Sequence, residues 1–390
     1  MDAEISKFYQ CFVRNDIDKL RYLVEEYGLE YLKRDIFLIP CISCENNLIN
    51  STNKSCIHVC AYFNSIECLL YLFSIGFSPN SKDSAGLLPL HFAIFGEAVD
   101  AVVILLRYGN DPNSMPINTN LSPLFIAARL GNVKIIQILF YYNAIYPNPK
   151  KISPAMEALR CNKSEAFKVL FKHECDKTVT NRKDFTPLML AIANKMDEAI
   201  DILIEDNDID AVSTNGVCAL SLACQDRNLK LIEKLILKGF ASLSVKAAGG
   251  SSLIHWAAAT CSPEILKFVI NCGAKIMDKT DRGESAIPFV LRFVPSNDNE
   301  INDVIESLKI LLSNGLTFNE SLKDGSVPLL EYLIDKSKIN EKILMFILSS
   351  NINVEMPVFN RTLKYFIQRM KFGHLQYLID EFLSKPKKIA

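Results

Sequence analysis

The chain has 390 residues, 49% hydrophobic and 22% charged, with 43 Lys+Arg against 44 Asp+Glu and a formal net charge of −1. That balance excludes a strongly basic nucleic-acid or membrane-surface protein, which needs a field of one sign, and the apolar content excludes a disordered chain. No run of about 18 apolar residues marks a membrane span, and Met1-Asp2-Ala3-Glu4 lacks the start of a signal peptide, so a soluble, cytoplasmic protein without membrane contact is expected.

Residues 4–28 read as a capping helix pair, the second helix carrying the apolar stripe Ile17, Leu20, Leu23 and Val24. An irregular connection follows to about residue 49 and contains Cys41-Ile-Ser-Cys44. From residue 50 a repeat takes over. Tetrapeptides of one kind recur, beginning with Ser55-Cys56-Ile57-His58, Leu88-Pro89-Leu90-His91, Ser122-Pro123-Leu124-Phe125, Ser153-Pro154-Ala155-Met156 and Thr186-Pro187-Leu188-Met189. Others end at Ser221, His255, Pro288 and Leu330, so the fourth residues lie 33, 34, 31, 33, 32, 34, 33 and 42 positions apart.

Five residues before this marker stand Gly86, Gly216, Gly250, Gly283 and Gly325, with Asn or Asp in three other units. These residue types tolerate the positive φ of a hairpin turn. Eighteen residues after the marker stand Gly76, Gly109, Asn143, Gly239 and Gly273, where a second helix should end in a left-handed cap. Gly315 joins them once its unit is allowed nine extra residues. Ten of the fifteen glycines then fall on the two positions, which makes the register secure.

Between these points each unit predicts two helices. Ser/Thr-Pro opens the first, small residues such as Cys60-Ala61 and Ala127-Ala128 follow the marker, and an amphipathic run such as residues 67–73 forms the second. One unit cannot bury both faces alone, so the units must stack. The unit around Pro288 carries a polar, acidic insertion at 295–303, expected as a loop.

These features resemble the ankyrin-repeat family, whose hallmark Gly-x-Thr-Pro-Leu-His-x-Ala-Ala is approached by residues 86–93 and 184–191. The resemblance implies an all-α solenoid of stacked helix-turn-helix units joined by β-hairpin-like loops. Nine repeats are expected over 50–355, with a degenerate repeat or cap and a basic tail over 356–390. In the family the marker His is structural, and His58, His91 and His255 are assigned that role. Pro123 and Pro187, with Gly86, Gly216, Gly283 and Gly325, are the other structural repeat positions.

Candidate chemistry is sparse. Cys41 and Cys44, followed by Cys56 and Cys60, form the one zinc-like cluster. Cys56 and Cys60 occupy ordinary packing positions of the repeat, so free thiols, no metal and no cofactor are expected. Gly249-Gly250-Ser251-Ser252 falls on a hairpin and lacks the Lys of a phosphate loop. Lys385-Pro-Lys-Lys388 reads as a solvated tail, with nuclear import as an alternative.

The resemblance further implies a non-enzymatic scaffold or adaptor that binds another protein, with no nucleic acid, as a monomer. Partner contacts in the family fall on the hairpin tips and the end of each first helix. Those positions hold Tyr62, Phe63, Phe95, Arg129, Arg160, Arg182, Lys183 and Phe185, an aromatic-basic stretch suited to an acidic, partly hydrophobic segment. A substrate-recruiting subunit of a ubiquitin ligase is the alternative reading.

Overall fold

The structure is a computed structural model that describes residues 3–33, 55–116, 121–145, 153–173, 185–205, 209–334, 340–350, 352–353, 355–358, 361–369 and 376–384. The chain divides into two compact units: residues 1–182 with 193–201, and residues 183–192 with 202–390.

The first unit opens with α1 (Ala3–Arg14) and α2 (Ile17–Tyr27), then alternates α3 (Cys56–Tyr62), α4 (Ile66–Ser74), α5 (Pro89–Phe95), α6 (Val99–Arg107), α7 (Pro123–Leu130), α8 (Val133–Tyr141), α9 (Pro154–Arg160) and α10 (Ser164–Lys172). Within it the first helices of successive pairs pack in order, α1 on α3, α3 on α5, α5 on α7 and α7 on α9. The second helices follow the same order, with α2 on α4, α6 on α8 and α8 on α10. α11 (Pro187–Ala193) and α12 (Asp197–Ile204) lie at the division between units.

The second unit continues with α13 (Ala219–Gln225), α14 (Leu229–Leu237), α15 (Leu253–Ala259), α16 (Pro263–Asn271), α17 (Ile287–Leu291), α18 (Asp298–Ser313), α19 (Pro328–Ile334) and α20 (Glu341–Ser349). A two-strand antiparallel ribbon, β1 (Pro357–Val358) with β2 (Arg361–Thr362), leads into α21 (Leu363–Arg369) and α22 (Gln376–Ser384). Packing again runs in order, α13–α15–α17–α19–α21 and α16–α18–α20–α22.

Local chemistry sets these elements. Ser122 and Ser153 accept at Oγ from the amides of Phe125 and Met156, both at 3.2 Å, capping helices whose first residue is proline. Cys60, Ala61, Ala127, Ala128, Ala223, Cys224, Ala257 and Ala258 are all buried, the small face along which first helices approach one another. The limit of that approach is Gly96, where an added Cβ would stand 1.9 Å from the carbonyl oxygen of Tyr62.

The hairpins repeat one pattern. Asp83 N–H donates to Leu87 O and Gly86 N–H to Asp83 O; Ser213, Ala247, Thr280 and Leu322 repeat this pairing. Gly86, Gly216, Gly250, Gly283 and Gly325 all have φ between 73° and 86°, the turn that the spacing predicts.

Two expectations change. Residues 298–303 are not loop: they form the first turns of α18, capped by Asn297, whose Oδ1 accepts from Glu300 N–H. Ile301, Val304, Leu308 and Leu311 continue one buried stripe along this helix, so the insertion lengthens the helix. Gly239 is not the left-handed cap either, since Phe240 holds the positive φ of 53° and is 84% exposed. Gly239 is required for space, because a Cβ there would meet Ile209 Cδ1 at 2.3 Å and Leu235 O at 2.9 Å.

Candidate functional site

His91 is fully buried at the start of α5. Its Nδ1 accepts from Leu88 N–H at 3.0 Å, so Nε2 carries the proton and faces Ser114 O at 3.2 Å. Burial pushes its pKa down to about 4. His255 repeats the arrangement with Ser252 N–H and Glu284 O, and burial lowers its pKa too. His58 Nδ1 lies 2.7 Å from Ser55 Oγ. Each histidine therefore ties its own helix start or the next hairpin.

The described cysteines carry free thiols, most of them buried. Desolvation drives Cys60 well above the ordinary thiol range, and Cys68, Cys224 and Cys261 up to about 12. Such thiols are poor nucleophiles. Among the described residues no group of three or more His, Cys, Asp or Glu is placed to hold a metal ion. Cys41 and Cys44 lie outside the described residues, as do Arg182, Lys183 and the tail from 385.

The aromatic candidates separate. Tyr62 and Phe63 end α3 half-exposed, edge to face at 5.1 Å. Tyr9 of α1 joins them, 6.0 Å from Phe63 in a T-shaped contact. Tyr9 is absent from the sequence-derived set because it precedes the repeat. Phe95, by contrast, is only 6% exposed and packs on Phe92, so its reading as an exposed anchor is corrected to a core residue. Phe185 is half-buried and belongs to the second unit.

The arginines have internal work. Glu157 of α9 is 1% exposed, and Arg160 grips it with two bonds, NH2 to Oε1 at 2.8 Å and Nε to Oε2 at 2.9 Å. Arg129, at the end of α7, stands with Nε 3.6 Å from Glu157 Oε1. A parallel cluster in the second unit surrounds Glu284, 4% exposed and bonded to Arg292, with Arg282 NH1 at 3.4 Å. Arg292 also lies 3.9 Å from Glu331, and Arg282 lies 3.5 Å from Asp324 and 3.6 Å from Glu331.

A sequence signal exists for these pairs. Arg129 and Arg292 both stand four residues after a marker, and Glu157 and Glu331 both stand one residue after the next marker. Reversing Arg129 and Arg160 together would leave Glu157 buried among negative charges, so that change tests folding as much as binding.

Helix pairs stacked in order, with a glycine hairpin before each and a small-residue face between them, define a tandem-repeat protein. The description "Ankyrin repeats (3 copies)" matches residues 11–116, 57–151, 90–181, 124–215 and 188–280. The chain belongs to the ankyrin-repeat family. It is 27% identical over 66% of its length to an NAD-dependent deacetylase, sir2B, of Dictyostelium discoideum, covering 31% of that protein. It is 31% identical over 34% of its length to a putative ankyrin repeat protein, FPV216, of fowlpox virus, covering 47% of it. The match thus spans less than half the length of either relative. A crystal structure of the human ASB11 ankyrin repeat domain is 20% identical and covers 65% of this chain and 98% of its own, with a TM-score of 0.36. No helix among the described residues is long and apolar enough to cross a membrane.

Proposed function

We propose that the chain is a non-catalytic scaffold that binds another protein through the ends of its first helices and its hairpin tips. The family supplies the general reading, since ankyrin repeats serve protein interaction. The observation that carries the site is the half-exposed cluster Tyr9, Tyr62 and Phe63, where three rings meet at the end of α3. Aromatic side chains combine large contact area with few rotamers, which suits them as interface anchors. The engaged titratable groups favour the same reading. His91 and His255 are engaged by backbone and His58 by a helix-start hydroxyl, and the carboxylates of the two clusters by arginine.

The test is affinity purification of tagged full-length protein with mass spectrometry, alongside a Tyr62→Ala/Phe63→Ser double variant. A partner recovered with the wild type and lost with the variant, at equal melting temperature, supports the reading. Equal recovery of every partner overturns this site.

A further inference from the structure

We propose that Arg129 reads an acidic side chain of the partner, held for that task by Glu157 and Arg160. This deepens the binding reading above and rests on it.

A guanidinium carries five N–H donors in a rigid fork and is always charged. The Arg129 side chain is 18% exposed, at the end of α7. Among the described residues its one ionic neighbour is Glu157 Oε1, and 3.6 Å is too long for a hydrogen bond. Both Glu157 oxygens already accept from Arg160, at 2.8 and 2.9 Å, which holds the carboxylate to that arginine. None of the Arg129 nitrogens is among the buried side-chain atoms that lack a partner, so they stay open to solvent and to an incoming acceptor.

The local charge agrees. Two arginines face one buried carboxylate, and the stem of Lys163 lies across Gly131, two residues beyond Arg129. Glu97, the carboxylate on the neighbouring turn, has Oε2 bonded to Asn132 Nδ2 at 3.0 Å. Glu157 orients the Arg129 Nε edge, which leaves the terminal NH1 and NH2 groups for an incoming acceptor. A carboxylate fits this fork and would cancel the surplus positive charge. Arg129 also ends α7 at the repeat position where the family meets its partners, which favours an Asp or Glu side chain of a polypeptide.

Random peptides displayed against immobilised full-length chain supply the probe. The tightest selected peptide is synthesised with its acidic residue and with the matching amide. Each form is titrated against wild type, Arg129→Gln and Arg129→Lys. Wild type should prefer the acidic form about tenfold or more. Arg129→Gln should bind both forms equally, and Arg129→Lys, which keeps a positive charge beside Glu157, should lose most of the preference at unchanged melting temperature. Should Arg129→Gln fail to fold, the lysine variant decides.

Selected peptides without Asp or Glu, or a preference retained in both variants, overturn the proposal. If those peptides still depend on Tyr62 and Phe63, the binding reading stands without it. Enrichment of no peptide at all overturns both.

Discussion

Acidification should destabilise the first unit through His91. In the folded chain burial holds this imidazole at a pKa of about 4, whereas an exposed histidine titrates near 6.5. Between those values the unfolded state binds a proton that the folded state refuses, so stability rises with pH across the window and falls as pH drops. Above about 6.5 both states are neutral and the effect vanishes. At about 1.36 kcal/mol per pKa unit, His91 alone removes about 2 to 3 kcal/mol between pH 7 and pH 4.5. His255 titrates in the same sense and adds to the slope. His91→Gln should cost about 1–3 kcal/mol at pH 7, because Leu88 N–H and Ser114 O lose their imidazole partner. Its pH profile should be flatter, so the two proteins converge toward pH 4.5. Urea titrations followed by far-UV circular dichroism at several pH values measure both slopes, and hydrogen exchange of residues 88–116 assigns the transition. Parallel profiles would refute the reasoning, since they would mean that His91 does not keep a depressed pKa in the folded chain.

The remaining expectations concern stability and are read from thermal or urea melting. Arg160→Gln strips the bidentate partner from a buried carboxylate and should cost about 2–4 kcal/mol, most of it recovered by Arg160→Gln with Glu157→Gln. Asn64→Ala removes a cap on Ala101 N–H and a residue suited to φ 57°, for a loss of about 1–2 kcal/mol. Gly96→Ala drives a methyl into the Tyr62 carbonyl and should cost about 3 kcal/mol or more. Phe240→Asn should raise stability by about 0.5–1 kcal/mol, because asparagine tolerates the left-handed conformation and the ring is exposed.

The repeat was legible because each unit is punctuated by a residue with a backbone reason. Gly86, Gly216, Gly250, Gly283 and Gly325 stand where the hairpin needs positive φ, and serine or threonine with proline stands where a helix needs a cap. Positions whose reason is spatial were harder to read. Gly239 occupies the same column as Gly109 but answers a clash with Ile209, so the column misassigned the cap to it. The acidic run at 298–303 hid a helix because its polarity outweighed the Ile301, Val304, Leu308, Leu311 stripe. Glu157 was missed for a different reason. A carboxylate inside a small-residue face reads as solvent-exposed until Arg160, one turn on, and Arg129, of the preceding unit, are seen to close over it.

Ties of that kind join neighbouring units repeatedly. Asn15 Oδ1 accepts from the amides of Glu67 and Cys68, and Asn64 Oδ1 accepts from Ala101, so a turn in one pair caps the second helix of the next. α4 and α6 have no side-chain cap of their own, which makes this borrowed cap necessary for them. In the second unit Asp281 N–H donates to Gly249 O and Lys323 N–H to Arg282 O, linking hairpin tip to hairpin tip. Each tie reaches only an adjacent unit, so losing one should loosen two helix pairs and leave distant ones protected. Asn64→Ala should therefore raise hydrogen exchange at the start of α6 while leaving α16 and α18 unchanged. Uniform loss of protection across the chain would show that stability is shared globally, and the nearest-neighbour account would fail.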